Sequence, residues 1–188
     1  IHSKVIDFRD SGLKEIAMLM APRTVGLAVS RSNDMVTAAL ASLIAVGSIT
    51  SFNVAYILQL VPVGLFGAAI AQAALPSLSA SYAGKRLEEF RQTLLSSFHQ
   101  ILFLVMPAAA ILIALRIPVT RLFFGAKTFT WEATVMTGET LSFFGISLFA
   151  QASALLLARG FYAMHDSKTP VFATFFSVLT NIVLAGLF

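Results

Sequence analysis

FNVAYILQLVPVGLFGAAIAQAALPSLSASYA, residues 52–83, runs for 32 positions without a charged side chain. The hydrocarbon core of a bilayer is crossed by roughly 20 apolar residues of helix, so this stretch predicts a membrane span. The rest of the chain repeats the pattern. Apolar runs cover about Leu13 to Val46, Thr93 to Leu115, Ala133 to Leu157 and Pro170 to Phe188. With 52–83 they predict five spans. Short polar breaks separate them at Gly47–Thr50, Gly84–Gln92, Arg116–Glu132 and Arg159–Lys168. Barrel strands would alternate in polarity over about 10 residues, and no such alternation occurs. The expected fold is an all-α, polytopic helix bundle within a membrane.

Composition points the same way. Of 188 residues, 57% are apolar and 12% charged, against about 45–50% and about 25% in soluble domains. That leaves too little polar surface for a soluble enzyme. Cysteine is absent, so there is no disulfide and no thiolate nucleophile. The three histidines, His2, His99 and His165, lie far apart in sequence and do not suggest a zinc site. No metal or cofactor is expected, and no nucleic-acid partner. The chain opens on Ile1 and stops at Phe188 within an apolar run. We read it as an internal piece of a longer membrane protein. Residues 1–12 are read as an amphipathic linker helix on the membrane surface and 13–188 as the bundle.

Charge sets an expected orientation. Lys4, Arg9, Lys14, Arg23, Lys85, Arg86, Arg91, Arg159 and Lys168 fall on one side of the predicted spans, and Arg116, Arg121 and Lys127 on the other. The positive-inside rule puts the larger group in the cytoplasm. Residues 84–92, GKRLEEFRQ, read as a solvated loop with helical ends. Pro22, Pro62 and Pro107 fall in or near spans, where each removes a backbone donor and invites a kink. Asn53, Gln59 and Gln72 on the second span read as packing hydrogen bonds, and its Gly64, Gly67, Ala68, Ala71 and Ala74 as a close-packing face.

One cation remains, Arg31, inside the first span. At 100° per residue, Arg23, Gly26, Ser30, Asn33, Asp34, Thr37 and Ala41 share an arc of about 100°. Arg31 lies about 60° beyond Asp34 and about 20 Å into the bilayer at 1.5 Å per residue. A central charge costs roughly 2.5–3.5 kcal/mol on insertion scales. Asp34, three residues on, offsets part of it. Two readings stand: a clasp between packed helices, or the lining of a water-filled cavity that meets a polar or anionic cargo. The length of the stripe favours the cavity, and a guanidinium's planar fork suits phosphate oxygens.

Four blocks carry a resemblance: APRTVGLAVS (21–30), GSITSFNVAY (47–56), LQLVPVGLFGAAIAQAALPSLS (58–79) and ARGFYAMHDSKTPV (158–171). In order and spacing the sequence resembles the MurJ (MviN) lipid II flippase family of the multidrug/oligosaccharidyl-lipid/polysaccharide exporter superfamily. The resemblance runs from about residue 13 to the end. It implies a transporter of about fourteen helices in two lobes around a cationic cavity, with this chain at the start of the second lobe and the other helices as its partners. The implied activity is alternating-access translocation of lipid II, the lipid-linked peptidoglycan precursor, across the bacterial cytoplasmic membrane for cell-wall synthesis. It implies no covalent chemistry. Many members carry an arginine where this sequence has Ile57. We expect Arg31 to supply that charge from the neighbouring helix, with Arg23, Ser30, Asn33 and Asp34 around the substrate. The resemblance also implies an ion site at Asp34, Thr37 and Asn181. Arg159, Tyr162, Asp166, Lys168 and Pro170 match the family's loop motif, with Asp166 placed to cap the last span and Pro170 in its first turn. The competing readings are an exporter of another polyprenyl-linked oligosaccharide or of a drug, and a non-transporting membrane scaffold.

Overall fold

The computed structural model describes residues 47–124 and 130–187, all in helices or the turns that join them. The first predicted span and the linker at 1–12 lie outside the described residues. α1 spans Ser48–Pro62 and continues through a π-helical turn, Val63–Ala68, into α2, Ala69–Ala83. α3 covers Leu87–Ala114, α4 Arg116–Phe124, α5 Trp131–Ala163 and α6 Lys168–Leu187. Three of these rods, Ser48–Ala83, Leu87–Ala114 and Trp131–Ala163, are long and apolar enough to cross a membrane. The chain divides into two compact units, and α6 belongs to a different one from residues 39–166. α6 is apolar, with Pro170 in its first turn as expected.

The predicted breaks shrink to a few residues. Gly47, at φ 91°, takes a left-handed conformation that suits glycine. Its carbonyl accepts from the Ser51 N–H at 3.0 Å, so α1 begins at Ser48 rather than after Thr50. Only Gly84–Arg86 separates α2 from α3. The expected loop through Gln92 is helical because Glu88 and Glu89 occupy the first turn of α3, where carboxylates favour the helix dipole. They also pair with Arg91 at 3.7 Å and Arg86 at 2.7 Å. The third break holds a helix that apolar runs alone do not reveal. In α4, Thr120 is buried and its hydroxyl donates to the Arg116 carbonyl at 2.7 Å. α5 then starts at a Thr130 N-cap, whose side chain accepts from Ala133 N at 3.2 Å, and runs six residues past Leu157.

α2 and α5 end alike. After α2, Lys85 (φ 55°) is left-handed, the Arg86 N–H reaches the Ser81 carbonyl at 2.9 Å and Lys85 N–H reaches Tyr82 at 3.0 Å. After α5, His165 (φ 59°) is left-handed, Asp166 N–H reaches Phe161 at 2.9 Å and His165 N–H reaches Tyr162 at 3.0 Å. Both are Schellman closures, which satisfy carbonyls that the helix leaves open.

The three rods pack antiparallel in turn. A Cβ placed on Gly160 would sit 3.4 Å from Leu94, and one on Gly145 would sit 2.6 Å from Ile113, so α5 runs opposite to α3. Gly67 meets Ala152 in the same way at 2.9 Å. The core is centred on Leu78, Ile101, Val105, Leu148 and Leu156. A second cluster joins Val54, Ala55 and Leu58 of α1 to Leu141 of α5. This arrangement places Lys85, Arg86, Arg91 and Arg159 at one end of the rods and Arg116 and Arg121 at the other. That is the segregation read from the charges.

The predicted kink at Pro62 becomes a change of helix type. Pro62 has no N–H to give, and Val63 N–H is shared between the Gln59 and Leu60 carbonyls. The π turn follows directly, carrying Gly64 and Gly67. Pro107 lies inside α3 without interrupting it.

Candidate functional site

The seam between α1 and α5 is polar. Ser48 Oγ lies 3.7 Å from the Met136 sulfur. One helical turn deeper, Ser51 Oγ is buried with no hydrogen-bond partner among the described residues, and so is Thr137 Oγ1 on α5. Farther in, Gln151 Nε2 donates to Gln59 Oε1 at 2.9 Å and to Ser147 Oγ at 2.7 Å. Gln59 is 1% exposed, so its amide depends on this bond rather than on solvent. Phe144 packs across the seam, with ring centroids 5.4 Å from Phe52 and 6.1 Å from Tyr56. The Gln59–Gln151 pair sits one turn before Pro62 and the π segment. It cross-links the two rods where the backbone of the first one loosens.

Gln59 therefore makes the packing hydrogen bond expected of it. Asn53 and Gln72 do not: both are exposed and make no hydrogen bond among the described residues. The sequence reading sought packing amides on the second span alone and missed Gln151 and Ser147. The available signal was a matching amide in the middle of the fourth span.

Arg23, Ser30, Arg31, Asn33, Asp34 and Thr37 all lie outside the described residues. Asn181 of α6 is exposed. Of the loop motif, Arg159 is half-buried near the end of α5, Tyr162 is exposed, Asp166 is half-buried just after the Schellman turn, and Lys168 opens α6 with Pro170 two residues on. Ile57, where the resemblance implies an arginine in many members, is 55% exposed. Asn53, Ile57, Leu60 and Gly64 fall within about 60° of one another around the helix axis, and all four are exposed. A side chain added at Gly64 would meet nothing within 4 Å among the described residues. This face of α1 has room for a long side chain at 57.

His99, within α3, is exposed, with its ring 6.4 Å from Phe98. At the far end, Arg121 lies 5.0 Å over the Trp131 ring. Arg116, Glu139, Ser142 and Phe143 line an open groove there. Among the described residues, no group of three His, Asp or Glu side chains is placed to hold a metal ion.

Comparison with known proteins places the bundle. The family model described as lipid II flippase MurJ matches residues 2–188. A probable lipid II flippase MurJ of Rhizobium meliloti is 31% identical over 173 residues, covering 92% of this chain and 32% of the relative. One from Vibrio cholerae is 31% identical over 181 residues, covering 96% and 34%. Lipid II flippase MurJ of Burkholderia cenocepacia is 29% identical over 163 residues, covering 87% and 32%. A solved structure of lipid II flippase MurJ in an inward closed conformation superposes with a TM-score of 0.83 at 25% identity, over 97% of this chain and 38% of that one. The chain thus spans about a third of the length of the curated relatives it matches. With a family match that runs almost end to end, and a helix bundle that follows a solved member, this multi-pass membrane chain belongs to the lipid II flippase MurJ family.

Proposed function

We propose that this chain is part of a flippase that moves lipid II across the bacterial cytoplasmic membrane by alternating access. The observation that carries the proposal is the family match over residues 2–188. The cargo's chemistry agrees with the sequence. A diphosphate and a sugar–peptide head do not cross hydrocarbon unaided, and fixed guanidinium groups can replace water around the diphosphate. The lipid tail stays in the bilayer while the two lobes of the whole protein rock about the bound head. No bond is made or broken in that cycle, so the activity is transport rather than catalysis.

Within this reading Arg31 supplies the cavity cation, with Arg23, Ser30, Asn33 and Asp34 beside it. Asp34, Thr37 and Asn181 hold a coupling ion. Arg159, Tyr162, Asp166, Lys168 and Pro170 shape the inner gate. The exposed face around Ile57 supports a specific exchange: a guanidinium at 57 has room to replace one lost at 31. Complementation tests both levels. The full-length gene should restore growth to a strain depleted of its own flippase. Arg31→Ala should abolish rescue, and Arg31→Ala with Ile57→Arg should recover part of it. A wild-type protein that reaches the membrane yet fails to rescue would point instead to the scaffold reading, which Ile57 in place of arginine favours. Full rescue by Arg31→Ala would remove Arg31 from the site and leave the flippase reading intact.

A further inference from the structure

At the end of the bundle remote from Lys85 and Arg86, the start of α4 lies across the outer part of α5. Gly138 permits this. A Cβ there would fall 2.7 Å from Ile117 Cδ1 and 3.4 Å from Arg116 Cγ, so a side chain at 138 would force Ile117 to shift. The result is an open groove of about 360 Å³ lined by Arg116, Glu139, Ser142 and Phe143. Its two charged members are of opposite sign and little used, while Ser142 Oγ donates to the Gly138 carbonyl at 3.1 Å and keeps its lone pairs for accepting. Arg116 Nη1 makes one long bond, 3.4 Å, to the Ile113 carbonyl. Glu139 has no hydrogen bond or ion pair among the described residues, and no Arg116–Glu139 ion pair forms within 4.0 Å. Both side chains are exposed, and Phe143 is 75% exposed beside them.

The depth of the groove identifies what it meets. Residues 140–158 of α5, between Glu139 and Arg159, carry no charge. At 1.5 Å per residue they span about 28 Å, close to the roughly 30 Å of the hydrocarbon core. On α3 and its continuation, residues 92–115 are likewise uncharged up to Arg116. Both ionised groups therefore sit at one hydrocarbon boundary, where lipid phosphates and amines lie, and Phe143 points into the acyl region below them.

We propose that this groove is a headgroup site for a zwitterionic ethanolamine phospholipid. The phosphate sits on the Arg116 guanidinium, the primary ammonium donates to the Glu139 carboxylate, Ser142 completes the polar wall, and Phe143 packs under the glycerol and first methylenes. Charge complementarity selects this occupant. An anionic glycerol headgroup satisfies Arg116 but opposes Glu139 and brings no ammonium. A choline headgroup brings positive charge but no N–H to donate.

Native mass spectrometry of the full-length protein, incubated with equal amounts of phosphatidylethanolamine, phosphatidylcholine and phosphatidylglycerol of matched acyl chains, tests the proposal. Retention of the ethanolamine lipid should exceed that of either competitor by about ten-fold, the effect of one charged hydrogen bond. Glu139→Gln should bring the ethanolamine-to-choline ratio to about one while some lipid remains bound, and Arg116→Gln should lower retention of all three. Equal retention of the three lipids by the wild-type protein, a preference for the glycerol lipid, or an unchanged ratio in Glu139→Gln would overturn it. The wild-type competition requires no variant to fold.

Discussion

α5 presents two different faces to its neighbours. Towards α3 it offers glycines: Gly145 takes Ile113 and Gly160 takes Leu94, at distances where a methyl group would collide or only just fit. Towards α1 it offers hydroxyls and an amide, with Gln151, Ser147 and Thr137 facing Gln59, Ser51 and the apolar cluster around Leu58. Inside a bilayer apolar burial does not distinguish helix contact from lipid contact, so close van der Waals approach and interhelical hydrogen bonds remain to drive association. The first face uses approach and the second uses hydrogen bonds. The glycine face is closely packed, whereas the polar face keeps two hydroxyls unpaired among the described residues and lies beside the π turn. This contrast marks α3–α5 as the rigid pair and α1–α5 as the seam where adjustment costs less.

The largest effect should come from filling the glycine face. Gly145→Leu drives four heavy atoms into Ile113 and should cost about 3 kcal/mol or more. The full-length protein should then accumulate poorly in membranes and lose its cooperative melting in detergent. A normal melting temperature would mean that the α3–α5 contact yields readily, and the contrast would disappear. The polar face should respond less. Gln59→Leu removes the acceptor for Gln151 and should cost about 0.6–1.7 kcal/mol, the range of interhelical hydrogen bonds in membranes. Adding Gln151→Leu should recover most of this, since removing both partners avoids an orphaned amide. If instead the double variant loses as much as the sum of the singles, the pair contributes packing rather than hydrogen bonding. The smallest effect belongs to the helix ends. His165 is a non-glycine residue in the left-handed region, and His165→Gly should raise stability by about 0.5 kcal/mol after glycine's own entropy cost. A drop in the melting temperature would show that the imidazole, not the backbone, matters at that turn.

The spans were legible because their signal is large: uncharged runs of 19 residues or more in four of the five predicted spans admit no other reading. Their ends were not. Gly47 and Lys85 close turns with single residues, and a carboxylate-rich helix start at Glu88 and Glu89 looks like a loop when judged by charge. α4 escaped notice because a nine-residue helix buries little and needs a neighbour to hold it. At the candidate sites, single residues were readable as types but not as pairs. Gln59 was expected to bond, and nothing in a linear sequence names Gln151, 92 positions away, as the donor. Arg116 was read only as a flank charge, and nothing in the linear order pairs it with Glu139 or marks Gly138 as the contact that brings them together.

What the sequence determined by itself is the solvent and the architecture: apolar length, scarce charge and the placement of lysine and arginine require membrane helices, whatever their order in space. Its motifs also determined the family. Tertiary structure alone decided which small residues are contacts and which are open, since Gly67 is filled by Ala152 while Gly64, three residues earlier, faces nothing among the described residues. It also decided that a proline site becomes a π turn and that two distant charges share one groove. The physical reason is range. Hydropathy is a property of each segment against its solvent, whereas a close contact or an ion site depends on a partner that only the packing of two helices supplies.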